Sequence, residues 1–480
     1  MLTKLAAKPS KKIIPIINEQ EEAQYRSLYA SQQKVYPRNV SGYFKQWRWA
    51  MIWMTQIVFY AVPWITWNGR QSVLFDISAH QFYLFGLVLF PQDLIYLALL
   101  LIISALALFL FTAVAGRLWC GFSCPQSVYT EIFLWIERKV EGDSMARMRL
   151  DQASMSVKKA RLKVIKHALW IGFAMWTGFT FLGYFSAIRE LMQHVVAFDL
   201  SHWETFWICF YGAATYGNAG FLREQVCKYM CPYARFQSAM FDDDTLIVSY
   251  DAKRGEPRSG RSRHIQASAQ GLGDCIDCKL CVQVCPVGID IRDGLQYECI
   301  SCGLCIDACN SIMEKMEYPG NLIHFSTKRA DTHQLTNVQR IRRMLRPRVI
   351  IYSALLLLVS VGLVLSLAYR PLLKVDVIRD RGVMARLLSD GQIENVYRLQ
   401  ITNATESAQI YQIKVQGLDG LELSSHSRVK VHATSEQSVP ISLRLPDGHV
   451  KSGIHAIQFV VSNEGSDERI LESSVFYMPN

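Results

Sequence analysis

The 480-residue chain carries 51 Lys and Arg against 41 Asp and Glu, a net charge of +10, and 50% of its residues are hydrophobic. That balance fits membrane segments joined to water-soluble parts and excludes a pure transporter. The charge is a membrane signature: residues 1–369 carry +11 and residues 370–480 carry −1, which excludes nucleic acid as a partner.

Residues 1–48 hold nine Lys and Arg before any apolar run. No short apolar core with a small-residue cleavage site follows, so no removable signal peptide is expected. Apolar runs then occur at 49–67, 94–115, 168–188, 206–222 and 349–369. The second is ~33 Å of helix at 1.5 Å per residue, enough to cross a bilayer. The fourth is the weakest, being interrupted by Gly212, Gly217, Asn218 and Gly220. Residues 81–90 are apolar but too short to span, and are expected at the interface or as a re-entrant piece.

Segments 1–48, 116–167 and 223–348 hold 9, 10 and 18 basic residues, whereas 67–93 and 189–205 hold one each. The positive-inside rule then predicts a cytoplasmic N-terminus, five crossings and residues 370–480 in the periplasm of a Gram-negative cell.

All thirteen cysteines lie between Cys120 and Cys309. Such clustering argues for thiolates that bind metal, and against a disulfide framework. Cys120-Gly-Phe-Ser-Cys124-Pro125 follows the second run, and Cys227-Lys-Tyr-Met-Cys231-Pro232 follows the fourth. We read 49–240 as a four-helix membrane domain built from a duplicated two-span unit. A helix continuing through each motif would put both thiols on one face, with the proline bending or ending it. Two pairs brought together would make a four-thiolate site; buried inert cysteine is the alternative. Soft thiolates prefer Cu(I) to Cu(II), so such a site would favour one-electron reduction of copper.

Residues 241–348 hold the strongest motif. Cys275, Cys278, Cys281 and Cys285-Pro286 form the bacterial ferredoxin run, and Cys299, Cys302, Cys305 and Cys309 repeat it, with Asn310 where proline is usual. Two-residue spacers let three thiolates converge on three corners of one iron–sulfur cube, and the fourth reaches the neighbouring cube. The expected sets are Cys275, Cys278, Cys281 and Cys309 for one [4Fe–4S] cluster, and Cys299, Cys302, Cys305 and Cys285 for the other. Paired zinc sites are the alternative, but this repeated spacing is unusual for zinc.

After the run at 349–369, residues 370–480 alternate apolar and polar positions at 396–401, 409–415, 428–431, 438–443 and 455–461, broken by turns such as Leu418-Asp419-Gly420 and Pro446-Asp447-Gly448. A β-sandwich is expected. Its lack of cysteine suits an oxidising compartment.

Cys209 reads as packing, and His167, His194 and His202 as interfacial side chains. Asp242, Asp243 and Asp244 read as a solvated run or helix cap. No span carries paired histidines for haem, and no nucleotide-binding glycine fingerprint is present. The electron donor is then another protein or a membrane quinol.

This order of motifs resembles the cytochrome c oxidase accessory proteins of the FixG/CcoG type over essentially the whole chain. The resemblance implies an α-helical membrane protein with five transmembrane helices, a two-[4Fe–4S] ferredoxin-like domain and an immunoglobulin-like C-terminal sandwich. It further implies a cupric reductase that supplies Cu(I) to the cbb-type cytochrome c oxidase or its assembly factors. Cys120, Cys124, Cys227 and Cys231 would handle copper, and the eight ferredoxin cysteines would carry electrons to them. Two other readings stay open. One is a quinol-oxidising relay resembling the NapH/NosR-type membrane ferredoxins; the other is a non-catalytic copper-holding scaffold.

Overall fold

The computed structural model describes residues 34–262, 271–333, 339, 343, 345–380, 385–389, 391–425, 427–446, 448–466 and 468–479. Most of the expected N-terminal segment, and Asp447 of the expected turn, lie outside the described residues.

Helix α1 (Tyr43–Ala61) ends where Pro63 forces a 3-10 turn at Val62–Trp64. Strands β1 (Thr66–Trp67) and β2 (Arg70–Gln71) form a hairpin around Asn68-Gly69, both at positive φ, as a tight two-residue turn requires. Strands β3 (Val73–Asp76), β4 (Gln81–Leu84) and β5 (Leu87–Leu89) then make an antiparallel sheet. The short piece at 81–90, expected at the interface or as a re-entrant segment, supplies two strands of this small sheet, which satisfies its backbone.

Helix α2 (Leu94–Ala115) stops at Gly116, which has φ +56 and lies where a Cβ would meet the Leu246 carbonyl oxygen at 2.5 Å. Four helices follow: α3 (Leu118–Phe122), α4 (Pro125–Glu141), α5 (Ser144–Gln152) and α6 (Val157–Leu182). The Ser156 hydroxyl caps α6 by accepting from the Lys159 amide. After α7 (Ile188–Ala197), a Ser201–Glu204 capping box starts α8 (His202–Gly217). The glycine-broken stretch beyond it relaxes into π-helical turns at Asn218–Leu222 and Val226–Met230, then α9 (Pro232–Ala239).

Strand β6 (Ile247–Tyr250) leads into α10 (Ala252–Gly255), α11 (Leu280–Gln283) and α12 (Leu304–Lys315). The segment closes when β7 (Ile323–Ser326) pairs antiparallel with β6. Helix α13 (Lys328–His333) precedes α14 (Pro347–Ala368), which packs along α2.

Helices occur at all five apolar runs, but among the described residues only two, Pro91–Ala115 and Pro347–Ala368, are long and apolar enough to cross a membrane by length and composition. The other three fall short of the expected five for identifiable reasons. Lys45 and Arg48 open α1, the first third of α6 is rich in lysine, and α8 has 16 residues before its π turn.

The C-terminal part is a two-sheet sandwich. Its strands are β8 (Leu373–Arg379), β9 (Arg386–Leu387), β10 (Gln392–Asn403), β11 (Gln409–Gln416), β12 (Glu422–Leu423), β13 (Arg428–Val431), β14 (Ser435–Pro446), β15 (Gly453–Asn463) and β16 (Arg469–Met478). One sheet runs β12-β14-β10-β8 with β9 on β10, and the other runs β13-β11-β15-β16. Alternate residues Leu399, Ile401, Tyr411, Ile441, Phe459 and Phe476 face inward and are fully buried. The sandwich docks on the β3-β4-β5 sheet: Ala404 packs with Val88 and Phe90, and the Gln81 amide donates to the Thr434 carbonyl at 2.9 Å. Buried Asp93 at the start of α2 pairs with Arg370 and Lys374.

At the opposite end of the helices, the Asp307 carboxylate of α12 accepts from the Phe44 and Lys45 amides at the start of α1. Beside it, buried Glu131 binds Lys45 (2.5 Å), Arg138 (3.1 Å) and Arg48 (3.4 Å). Burial alone would raise the pKa of Glu131, but these three cations overcome it and hold it at about 2. Glu131→Gln leaves them without a counter-charge, and should cost about 3–5 kcal/mol. Thermal melting of the solubilised protein measures it.

Candidate functional site

The two Cys-x3-Cys-Pro motifs are corners between helices. Cys120 lies in α3, whereas Cys124 is extended and caps α4, whose first residue is Pro125. In the second copy Cys227 lies in the π turn, Cys231 is extended, and Pro232 begins α9. The expectation of a helix running through each motif is therefore corrected. Proline fits the first turn of a new helix, where its missing N–H costs nothing, and disfavours the helical region for the cysteine before it.

The corners from the two halves meet. The Gln126 side-chain amide donates to the Asn218 and Arg223 carbonyls, both at 3.0 Å, lacing α4 to the second copy. Buried Arg117 donates to the Ala234 and Tyr297 carbonyls, joining α3, α9 and the iron–sulfur segment. Fully buried Gln237 donates to the Gly116 carbonyl, and its amide oxygen faces the Cys120 thiol at 3.5 Å. Burial pushes Cys120 up to about 12 and Cys227 up to about 11; Cys124 and Cys231 raise both further, and Arg117 opposes both. Burial likewise raises Cys124.

The eight ferredoxin cysteines line two small cavities. Cys275, Cys278, Cys281 and Cys309 surround one. Cys285, Cys299, Cys302 and Cys305 surround the other, and Cys281 stands in the wall they share. The loops repeat their backbone as well as their spacing: Asp277 and Ser301, then Lys279 and Gly303, all take positive φ at equivalent places. Such left-handed residues turn successive amides inward, the nest geometry that suits an anionic iron–sulfur centre. Asn310, standing in place of proline, accepts from the Asn321 amide at 2.7 Å and anchors the returning chain. Burial raises Cys281 to about 11, and Cys299 and Cys309 to about 12, so these thiols ionise when metal replaces their protons.

No three His, Cys, Asp or Glu side chains among the described residues converge tightly enough to hold a single metal ion. The eight cysteines stand in two sets of four around two cavities. The four motif thiols do not converge on one ion either.

The two centres are in contact. A Cβ on Gly121, between Cys120 and Cys124, would lie 2.7 Å from the Ile300 carbonyl oxygen and 2.8 Å from the Cys302 Cα. Cys120 packs in the same cluster as Cys285 and Cys302. The cavity of Cys285, Cys299, Cys302 and Cys305 is thus the one proximal to the motif thiols.

Most of the remaining candidates have structural partners; His202 is exposed at the start of α8. His167 bonds Tyr216 at 2.9 Å, and His194 pairs with Glu204. Asp242, Asp243 and Asp244 pair with Arg346, Lys328 and Arg329, tying the iron–sulfur segment to α13 and α14. The packing expected of Cys209 is corrected, since its side chain is exposed on α8. Sequence reasoning passed over Arg117, Gly121, Gln126 and Gln237; only Gly121 and Gln126, inside and just after a motif, carried any local signal.

Three family models match the chain. A 4Fe-4S dicluster domain covers residues 222–328, a 4Fe-4S binding domain covers 97–141, and an IG-like fold at the C-terminus of FixG, a putative oxidoreductase, covers 363–479. With the cysteine-lined cavities and the apolar helices, they define a membrane iron–sulfur electron-transfer protein. The nitrogen fixation protein FixG of Rhizobium meliloti is 34% identical, covering 94% of each chain. RdxA of Cereibacter sphaeroides is 37% identical over 88% of this chain and 91% of its own. The crystal structure of a FixG-related protein from Vibrio parahaemolyticus, 27% identical, covers 22% of this chain and 96% of its own, with a TM-score of 0.21. The chain belongs to the FixG family.

Proposed function

We propose that this protein is a cupric reductase of the bacterial cytoplasmic membrane, converting Cu(II) to Cu(I) for the copper centre of a cbb-type cytochrome c oxidase. In this reading the chain crosses the membrane five times, with the iron–sulfur domain in the cytoplasm and the sandwich in the periplasm. The alternation of basic segments supports that orientation. So do the contacts: Asp307 meets the start of α1 at one end, and Asp93 meets Arg370 at the other.

Cys275, Cys278, Cys281 and Cys309 would hold one [4Fe–4S] cluster, and Cys285, Cys299, Cys302 and Cys305 the other. Each cluster, when bound, supplies one-electron storage at low potential. Cys120, Cys124, Cys227 and Cys231, which do not converge on one ion in this structure, would take up the copper substrate in smaller sets or by drawing together. One electron converts Cu(II) to Cu(I), and soft thiolates favour the product. The flush contact of Gly121 with the Cys302 loop carries the reading, because it leaves no intervening layer between the two centres.

A second reading has its own support: the 4Fe-4S binding domain match at 97–141 contains Cys120 and Cys124, so the four motif thiols are also candidates for a third cluster.

The test is to reduce the anaerobic protein with dithionite, remove the reductant, and add Cu(II) with a Cu(I)-specific chromophoric chelator. Stoichiometric Cu(I) supports the proposal; none refutes it. Because the Cys120 and Cys227 thiols sit near 12 and 11, copper must displace their protons. Cu(I) affinity should therefore rise with pH, by ~tenfold per unit for each thiol deprotonated, as read by chelator competition. A flat profile would mean that these thiols do not bind the ion.

A further inference from the structure

We propose that the groove between α1, α4 and α6 binds an isoprenoid quinol, the electron donor to the iron–sulfur centres. This rests on the electron-transfer reading above and names its reductant.

The groove has a volume of about 1390 Å³. Its walls carry Trp49, Trp53, Ile57, Trp135 and Phe173, apolar surface along a helix ~28 Å long. Tryptophans of this kind favour the headgroup level of a bilayer. The mouth changes character: Asn39, Ser41 and Gln46 supply neutral hydrogen-bonding groups. Lys45 and Arg138 also line it, both turned to Glu131, and Arg38, Lys139 and Asp143 complete the charged part of the rim. A ring bearing hydroxyls, with a long apolar tail, fits this division of hydrogen-bonding mouth and apolar wall.

The mouth is seated on the iron–sulfur loops. The Arg38 amide donates to the carbonyl of Gln283, which lies between Cys281 and Cys285, at 2.8 Å. Val40 packs in the cluster of Cys285 and Cys302, and Phe44 in that of Cys299, Cys305 and Cys309. A ring held at the mouth is thus one side chain, Val40, from the cluster that holds Cys285 and Cys302. Oxidation of the quinol to the quinone breaks two O–H bonds and sends two protons out through the polar mouth. The two electrons released pass one to each of two one-electron iron–sulfur centres.

The experiment uses full-length holoprotein in nanodiscs, an azido-quinone photolabel mapped by mass spectrometry, and a short-chain ubiquinol with cluster absorbance as the redox readout. Label on peptides spanning 38–61 and 132–139 is expected. Trp53→Ala combined with Trp135→Ala should cut labelling and raise the half-saturating ubiquinol concentration about tenfold or more. Dithionite should still bleach the centres fully in that variant, and Trp135→Phe should restore binding. Label elsewhere, an unchanged ubiquinol dependence in the double variant, or complete displacement of label by phosphatidylglycerol would overturn the proposal. Protein that labels in the groove but, once reduced by dithionite, leaves Cu(II) untouched would overturn the copper reading and support this one.

Discussion

Cys227→Ala should drop Cu(II) reduction by the prereduced protein to background while leaving iron content and cluster absorbance unchanged. Cys227 lies in a π turn outside both cysteine-lined cavities, so its loss removes no cluster ligand. It lies instead close enough to the other motif thiols for its charge to act on Cys120 and for Cys124 and Cys231 to act on it. The expected loss is ~100-fold or more, beyond what removing an outer partner of a metal site usually costs. Copper reduction at the wild-type rate would remove the motif thiols from the reaction. Loss of iron in the variant would favour the third-cluster reading.

Gly121→Ala should separate the two centres. The added methyl meets backbone atoms of Ile300 and Cys302, not the flexible end of a side chain, so neither partner yields cheaply. Overpacking of this kind costs about 1–3 kcal/mol, and here the strain falls on a loop that carries a proximal ligand. Slower copper reduction and weaker retention of iron are expected together. Gly172→Ala is the control, since nothing lies within 4 Å of its Cβ position. Equal behaviour of the two variants, in rate and in iron, would mean that the contact plays no part.

The sequence disclosed what depends on local spacing and composition. The ferredoxin runs, the two Cys-x3-Cys-Pro copies, the helices and the alternating strands of the sandwich are all local patterns. It misled where a partner decides conformation. Residues 81–90 read only as a short interfacial or re-entrant piece, and they form β4 and β5 because Val73–Asp76 and the sandwich lie alongside. Each Cys-x3-Cys-Pro invited a continuous helix, whereas proline at the first position of the next helix turns it into a corner. Arg117 was one basic residue among the ten of segment 116–167. Only the meeting of α3, α9 and the iron–sulfur segment gives it three surfaces to join. The groove beside α1 was likewise invisible, since it is made by α4 and α6 far along the chain.

The account depends on eight sulfur ligands shared between two iron cubes. Iron, zinc and acid-labile sulfide should be counted in protein purified without oxygen, with EPR spectra taken after dithionite reduction. We expect ~8 iron and ~8 sulfide per chain, no zinc, and a reduced-cluster signal that disappears when Cu(II) is added. Zinc in those positions, or iron without sulfide, would contradict the account at its base.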